Sequence, residues 1–526
     1  MTDNTFCESY RLMPIGNLKS EHPARWVARK AAALVLLSLA TAIVSRAQTY
    51  TTLATFDGTD GANPFATLVQ GFNGSLYGIT PTGGSSSGSS SCPFGCGTIF
   101  ELAPSGQLTA LYNFCSQVSC PDGELPYDGL TLSTNGNLYG TTAGGGASGN
   151  GTIFEVTPSG QLTTLHSFCS QANCTDGESS IAGLVEDNGG YLYGLTLHGG
   201  ANNTCPGGCG TLFQLSPAGG FTTLYSFCSQ PDCADGWAAQ GIVLASDGSL
   251  YGATGAGGND ICTHGCGTIF AVDHRRKLTT LYTFCAQPAC VDGTLPVGAL
   301  IQASNGNLYG VTSYGGSHNS GVIYEITPGG EMTTLYSFCA RNACADGASP
   351  NSGLVQGSDG NFYGTTDGGG TYGHGASFEI TPTGELTPLY SFCRQSECTD
   401  GAYPFAGLMQ ASNGEFYGTT YGGGTDSSDC TSGCGAIFSL STGLSSFVST
   451  LPTSGRVGQS VIILGNNLAG STDVSFNGTP ATFTVISPTE IMARVPRGAT
   501  SGTVTVTTND LPLTNNAPFR VTPWWY

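Results

Sequence analysis

A short phrase, Leu-Tyr-Gly or Phe-Tyr-Gly, recurs seven times along the chain, with its tyrosine at Tyr77, Tyr139, Tyr193, Tyr251, Tyr309, Tyr363 and Tyr417. Successive tyrosines lie 62, 54, 58, 58, 54 and 54 residues apart. A fixed period of this size signals a repeat architecture, in which each unit buries its apolar surface against its neighbours. Hydrophobic residues make up 39% of the chain, which is enough to build a core despite 80 glycines. The chain therefore reads as folded, all-β and turn-rich.

One unit can be followed from Gly353 to Phe392. Gly353–Gln356 is a short apolar strand, and Asp359-Gly360 is a tight hairpin turn of a kind that accepts positive φ. Residues 361–366 are a second strand, 376–381 a third and 385–392 a fourth, with Pro382-Thr383-Gly384 turning the chain between the last two. Four short strands per unit, apolar on both faces, suit a propeller blade. Seven units predict a seven-bladed β-propeller built from ~54-residue repeats. A β-solenoid is the alternative, although its coils need far fewer residues. The ends predict closure. Residues 49–56 match the fourth strand of other units, and the seventh unit stops after its third strand at Leu440. The N-terminal strand would complete the last blade and remove the free sheet edges.

The N-terminus reads as an export signal. Arg25, Arg29 and Lys30 precede an apolar run from Ala31 to Val44, and Ser45-Arg46-Ala47 offers small residues for cleavage before Gln48. The run is short for a membrane span, so no span is expected in the mature chain. Removing residues 1–47 takes away six Lys/Arg and three Asp/Glu, leaving 9 − 32 = −23. That charge excludes nucleic acid as a partner, because phosphate binding needs Lys and Arg.

Of 21 cysteines, only Cys7 precedes the cleavage point. The other twenty fall into two families. Six pairs follow the fourth strands: Cys115/Cys120, Cys169/Cys174, Cys228/Cys233, Cys285/Cys290, Cys339/Cys344 and Cys393/Cys398. Four follow second strands: Cys92/Cys96, Cys205/Cys209, Cys262/Cys266 and Cys430/Cys434. Each pair is present or missing as a unit, so each is expected to be bonded within itself, in keeping with an oxidising compartment. Zinc is the rival reading, but isolated cysteine pairs in an exported chain favour disulfides. No metal or cofactor is expected.

Both cysteine families lie in loops on one face of the expected ring, and the opposite face has only tight turns. Elaborated loops on a rigid scaffold are where binding residues gather. An Asp precedes Gly in the loop after each fourth strand, at Asp60, Asp122, Asp176, Asp235, Asp292, Asp346 and Asp400. Its repetition in every unit favours a structural role over cation binding. Residues that differ between units are the candidate ligand contacts: His198, Trp237, Tyr314, Tyr372 and Tyr421, together with His264, His318 and His374. No catalytic residue is singled out, since there is no Gly-x-Ser-x-Gly elbow and no His-Glu metal motif.

The block Asn-Gly-Asn-Leu-Tyr-Gly-Thr-Thr, Gly-Gly, Gly-Thr-Ile-Phe-Glu-Val-Thr-Pro-x-Gly, Leu-Thr-Thr-Leu-x-Ser-Phe, whole at 135–168, resembles the GloVer tandem repeat over about 50–441. The resemblance implies an exported bacterial protein, secreted or at the cell surface, of a group whose C-termini carry varied anchors. It implies no activity. Residues 523–526 depart from that group in offering neither an apolar span nor a basic tail. Beyond Cys434 the composition changes. Pro452–Gly455, Ile462–Leu468, Val474–Gly478 and Val495–Gly498 are spaced like the strands of a small sandwich and resemble an IPT/TIG immunoglobulin-like domain over nearly all of 448–522. The expected plan is a signal peptide at 1–47, a propeller at 48–441 and an immunoglobulin-like β-sandwich at 442–526. The expected protein is a monomeric binding or scaffolding protein whose partner is a polysaccharide or another surface protein. A polysaccharide-active hydrolase or lyase using the same face, and a purely structural envelope protein, are the alternatives.

Overall fold

The computed structural model describes residues 48–85, 92–425, 430, 432–509 and 511–523. The expected signal segment and its cleavage point lie outside them. Among the described residues, the repeat region forms seven four-stranded antiparallel sheets. The sixth is typical: Val355–Gln356, Phe362–Thr366, Ala376–Ile380 and Leu386–Ser391 pair in that order. The first strand pairs only over its last two residues, shorter than the expected Gly353–Gln356. In the fourth and fifth sheets it lengthens to Trp237–Leu244 and Thr294–Gln302.

The repeated phrase has a stereochemical reason at each residue. The Leu or Phe is buried. The Tyr ties the preceding turn to the third strand: Tyr139 Oη donates to Glu155 at 2.8 Å and accepts from Asn135 Nδ2 at 2.9 Å. The Gly leaves room for the aromatic ring of the third strand. A Cβ at Gly194 would stand 2.4 Å from Phe213 Cζ, and one at Gly364 would stand 2.7 Å from Phe378 Cζ.

Aromatic pairs join each sheet to the next. The Phe ending a fourth strand meets the ring on the third strand of the following sheet, edge to face. These pairs are Phe114 with Phe154, Phe168 with Phe213, Phe227 with Phe270, Phe284 with Tyr324, Phe338 with Phe378, and Phe392 with Phe438, all at 5.2 or 5.3 Å. The series returns to its start through Phe56 and Phe100 at 5.0 Å. Phe56 follows the N-terminal strand Thr49–Thr55, which pairs with Ala436–Ser441 as the outer strand of the seventh sheet. Each such pair contributes about 1 kcal/mol beyond its buried area.

A second circuit runs along the first strands. Glutamine at their ends accepts a backbone N–H from the preceding sheet: Ser246 to Gln302 (2.7 Å), Ser304 to Gln356 (2.9 Å), Ser358 to Gln410 (2.9 Å) and Ser412 to Gln70 (3.0 Å). Glu186 takes the same place and accepts from Ser133 Oγ at 2.8 Å. The contact from Ser412 to Gln70 again joins the last sheet to the first, so the sheets form a closed, propeller-like ring.

Residues 448–523 build two four-stranded sheets over one core of Val461, Ile463, Val474, Phe476, Ile491 and Val504. This segment touches the tight-turn side of the ring at three separated places. Asn188 Nδ2 reaches Ser454 Oγ (2.6 Å), Asn466 Nδ2 reaches Ser412 Oγ (2.9 Å), and Thr489 Oγ1 donates to the Phe72 carbonyl (2.6 Å). These contacts fall on the turns of the third, seventh and first sheets.

Candidate ligand groove on the loop face

The loops after the second and fourth strands share one side of the ring. Ten disulfides staple them, joining the pairs Cys92–Cys96, Cys115–Cys120, Cys169–Cys174, Cys205–Cys209, Cys228–Cys233, Cys262–Cys266, Cys285–Cys290, Cys339–Cys344, Cys393–Cys398 and Cys430–Cys434. The repeated Asp caps the fourth-strand loop from within. Asp235 Oδ2 accepts from Tyr225 Oη (2.7 Å) and the Ser229 amide (2.9 Å), while Oδ1 accepts from the Gln230 amide (3.1 Å). Asp346 and Asp400 repeat the arrangement. In the third sheet's neighbour, His166 stands in place of the Tyr, with Nε2 3.3 Å from Asp176. Burial holds that imidazole below its ordinary value, against the pull of Asp176.

Asp60 departs from this pattern. Its loop has no cysteine pair, and burial, with Asp57 beside it, pushes its carboxyl up to about 6. Burial also pushes Asp367 up to about 6; its Oδ2 accepts from Asn351 Nδ2 at 3.3 Å and its buried Oδ1 has no partner. A carboxyl raised on folding favours the protonated native state. The stability it contributes is complete below the unfolded value near 4 and is lost as pH rises through about 6. Replacing Asp60 and Asp367 with Asn should therefore raise Tm at pH 7 and narrow the fall in Tm between pH 4 and pH 7. Melts at both pH values, with and without the substitutions, check this.

Large apolar side chains stand exposed on the loop face at Phe94, Val118, Ile261, Tyr314, Tyr372, Tyr403 and Tyr421. Two adjoining cavities of about 510 and 520 Å³ open there, over the third to fifth sheets. They share Trp237, Thr263 and His264, whose indole and imidazole rings meet edge to face at 6.1 Å. The outer cavity is lined by Thr204, Asp232, Asn259, Asp260 and Ile261, the inner one by Gln240, Leu295 and Tyr314. Register explains the placement. Trp237 pairs with Ala256 and Thr294 with Tyr314, so extension of the first strand in these two sheets lifts both aromatics to the rim. No Lys or Arg lines either cavity. The groove thus combines aromatic faces, amides and two carboxylates along one line.

Of the sequence candidates, Trp237, His264 and Tyr314 meet in this groove. His198 lies outside it, beside Gly207, with a buried Nδ1 that has no partner. Tyr372 is exposed on the sixth sheet's loop. Tyr421 packs on Phe405 at 5.2 Å and Phe65 at 6.3 Å, next to a stacked Phe65–Phe405 pair at 5.0 Å. Ile261, Gln240 and Leu295 went unnoticed in the sequence. A signal existed for Trp237: the residue after its Asp-Gly is Ala62, Glu124, Glu178, Thr294, Ala348 or Ala402 in other units.

No curated protein matches the chain. Among solved structures, a catalytically inactive virginiamycin B lyase from Staphylococcus aureus, determined with quinupristin, shares 14% identity over 75% of this chain and 99% of its own, with a TM-score of 0.48. PorZ, a surface component of the type-IX secretion system of Porphyromonas gingivalis, shares 14% identity over 89% of this chain and 61% of its own, at 0.46. A luciferin-regenerating enzyme shares 12% identity over 76% and 98%, at 0.39. Likenesses this distant carry no functional inference. The sequence profile of the Gloeobacter/Verrucomicrobia repeat matches residues 40–205, 88–303, 171–355 and 289–484. The chain belongs to the Gloeobacter/Verrucomicrobia repeat family.

Proposed function

We propose that the chain is an exported seven-bladed β-propeller carrying an immunoglobulin-like sandwich of the IPT/TIG kind, and that it binds a neutral polysaccharide along the groove at Trp237. The observation that carries this reading is the groove's composition: aromatic rings for stacking on sugar faces, amides for hydroxyls, and no cation for an anionic polymer. Ten local disulfides support export to an oxidising compartment. Among the described residues no helix is long and apolar enough to cross a membrane. Asp232 and Asp260 in the same groove favour, as a second reading, a polysaccharide-cleaving enzyme.

A glycan array scored for both retention and product release separates the two readings. Trp237→Ala with Tyr314→Ala should weaken binding roughly thirtyfold, from about 1 kcal/mol of stacking at each ring. A charged insertion at the Asn305-Gly306 turn, where nothing lies within 4 Å of a Cβ on Gly306, should leave binding unchanged. Equal binding by the double variant would refute the groove.

A further inference from the structure

Two loops of the first repeat meet beneath the loop face. One carries Cys92 and Cys96, the other Cys115 and Cys120, and Glu124 follows directly on the second. The Sγ atoms of Cys92, Cys96 and Cys115 and a carboxylate oxygen of Glu124 all lie within 4.8 Å of one another. All four residues are buried, Glu124 to 7% exposure. The carboxylate's polar neighbour among the described residues is Cys92 Sγ, at 3.6 Å. A sulfur held in a disulfide has no hydrogen to donate, so among the described residues no donor faces the carboxylate. Burying a carboxylate without a partner is costly, and among the described residues nothing in the disulfide-bonded state compensates Glu124.

The thiol state does. Three thiolates and a carboxylate make a four-donor set of the kind zinc takes, and tetrahedral donors at Zn–S distances near 2.3 Å stand roughly 3.8 Å apart. We propose that before its disulfides close, the first repeat binds one divalent ion of the zinc class through Cys92, Cys96, Cys115 and Glu124. The ion supplies the positive charge that Glu124 otherwise lacks. Cys120 stays a thiol. A disulfide-exchange oxidant then takes two electrons for each of the bonds Cys92–Cys96 and Cys115–Cys120, becoming a dithiol each time; the one proton left on Cys120 departs, the ion is released and the donor set is abolished. The second and sixth repeats bring only three donors together each, Cys169, Cys174 and Glu178 in one and His374, Cys393 and Cys398 in the other, and all of these are part-exposed. In the third and fourth repeats the clusters are of sulfur alone.

The test uses the full chain with Cys205, Cys209, Cys262 and Cys266 changed to Ser, so that only the first repeat retains more than two cysteines. The protein is reduced with a phosphine, which takes up one water oxygen per disulfide to become its oxide and leaves two thiols. Cobalt(II) is then titrated and followed by its visible bands. One equivalent should give the intense spectrum of tetrahedral thiolate coordination, releasing three thiol protons, and zinc should displace it. Glu124→Gln should weaken cobalt binding about tenfold or more, and Cys92→Ser at least as much, with the circular dichroism of the ring unchanged. A featureless titration, Glu124→Gln binding as tightly as its parent, or loss of the fold on reduction would each overturn the proposal.

Discussion

A chain lacking residues 48–57 should fail to form a stable ring. The N-terminal strand supplies the whole outer edge of the seventh sheet, with Thr49 opposite Ser441 and Thr55 opposite Ala436. Tyr50 stacks on Tyr390 at 3.8 Å and on Phe438 at 5.2 Å, and its hydroxyl donates to the Asp400 carbonyl. Phe56 is fully buried against Phe100. Truncating one such Phe to Ala costs about 3–5 kcal/mol. Losing the strand exposes two sheet edges besides, against a total stability of about 5–15 kcal/mol. Circular dichroism should show no cooperative melt, and adding the 48–57 peptide should restore part of it. A melting temperature equal to that of the full chain would refute the latch.

Gly353→Val should be the most damaging single substitution at the centre of the ring. Neighbouring first strands approach there backbone to backbone. A Cβ at Gly353 would stand 2.5 Å from the Ala299 carbonyl oxygen, one at Gly407 would be 2.8 Å from Thr67 Oγ1, and one at Gly129 would be 3.0 Å from the Thr67 carbonyl oxygen. Backbone cannot swing aside as a side chain can, so two sheets must separate. The expected cost is about 3 kcal/mol or more. Gly306→Ala is the matched comparison. Its φ of +86° strains any L-residue, but its surroundings are open, and about 1 kcal/mol is expected. Chemical denaturation of both variants measures the difference, and similar losses would show that the centre is looser than described.

What could be read from the sequence divides by distance along the chain. Turns, strand pairs and disulfides join residues within one unit, so Asn-Gly, Leu-Tyr-Gly and the cysteine spacings carried them. The closing strand was readable too, because residues 49–56 repeat a pattern found six more times. The groove was not. Trp237, Ile261 and Tyr314 come together through the ring, and their spacing in sequence says nothing of which neighbours face each other. Gln302, Gln356 and Gln410 were visible as a recurrence, yet a polar residue ending a strand looks solvated until the next sheet is set beside it. The meeting of Cys92 and Cys96 with Cys115 likewise depends on how two loops of one repeat fold over each other. Docking of residues 448–523 on three separated turns left no mark in those turns, whose Asn-Gly sequences serve the hairpins equally well without it.

Closure by the first strand also sets an order in time. Thr49 pairs with Ser441, 441 − 49 = 392 residues later. At roughly 5–20 residues per second of synthesis, the earliest strand waits on the order of 20–80 seconds for its partner to exist. Through that interval an apolar β-edge at Thr49–Thr55 has nothing to pair with, and the unclosed array of sheets is open at both ends. The disulfides face no such delay, because each spans only four or five residues. Individual repeats can thus be stapled early, while the ring as a whole is completed only after the last of them has been made. A chain of this design needs its N-terminal strand kept from other sheet edges until the last repeat has been made.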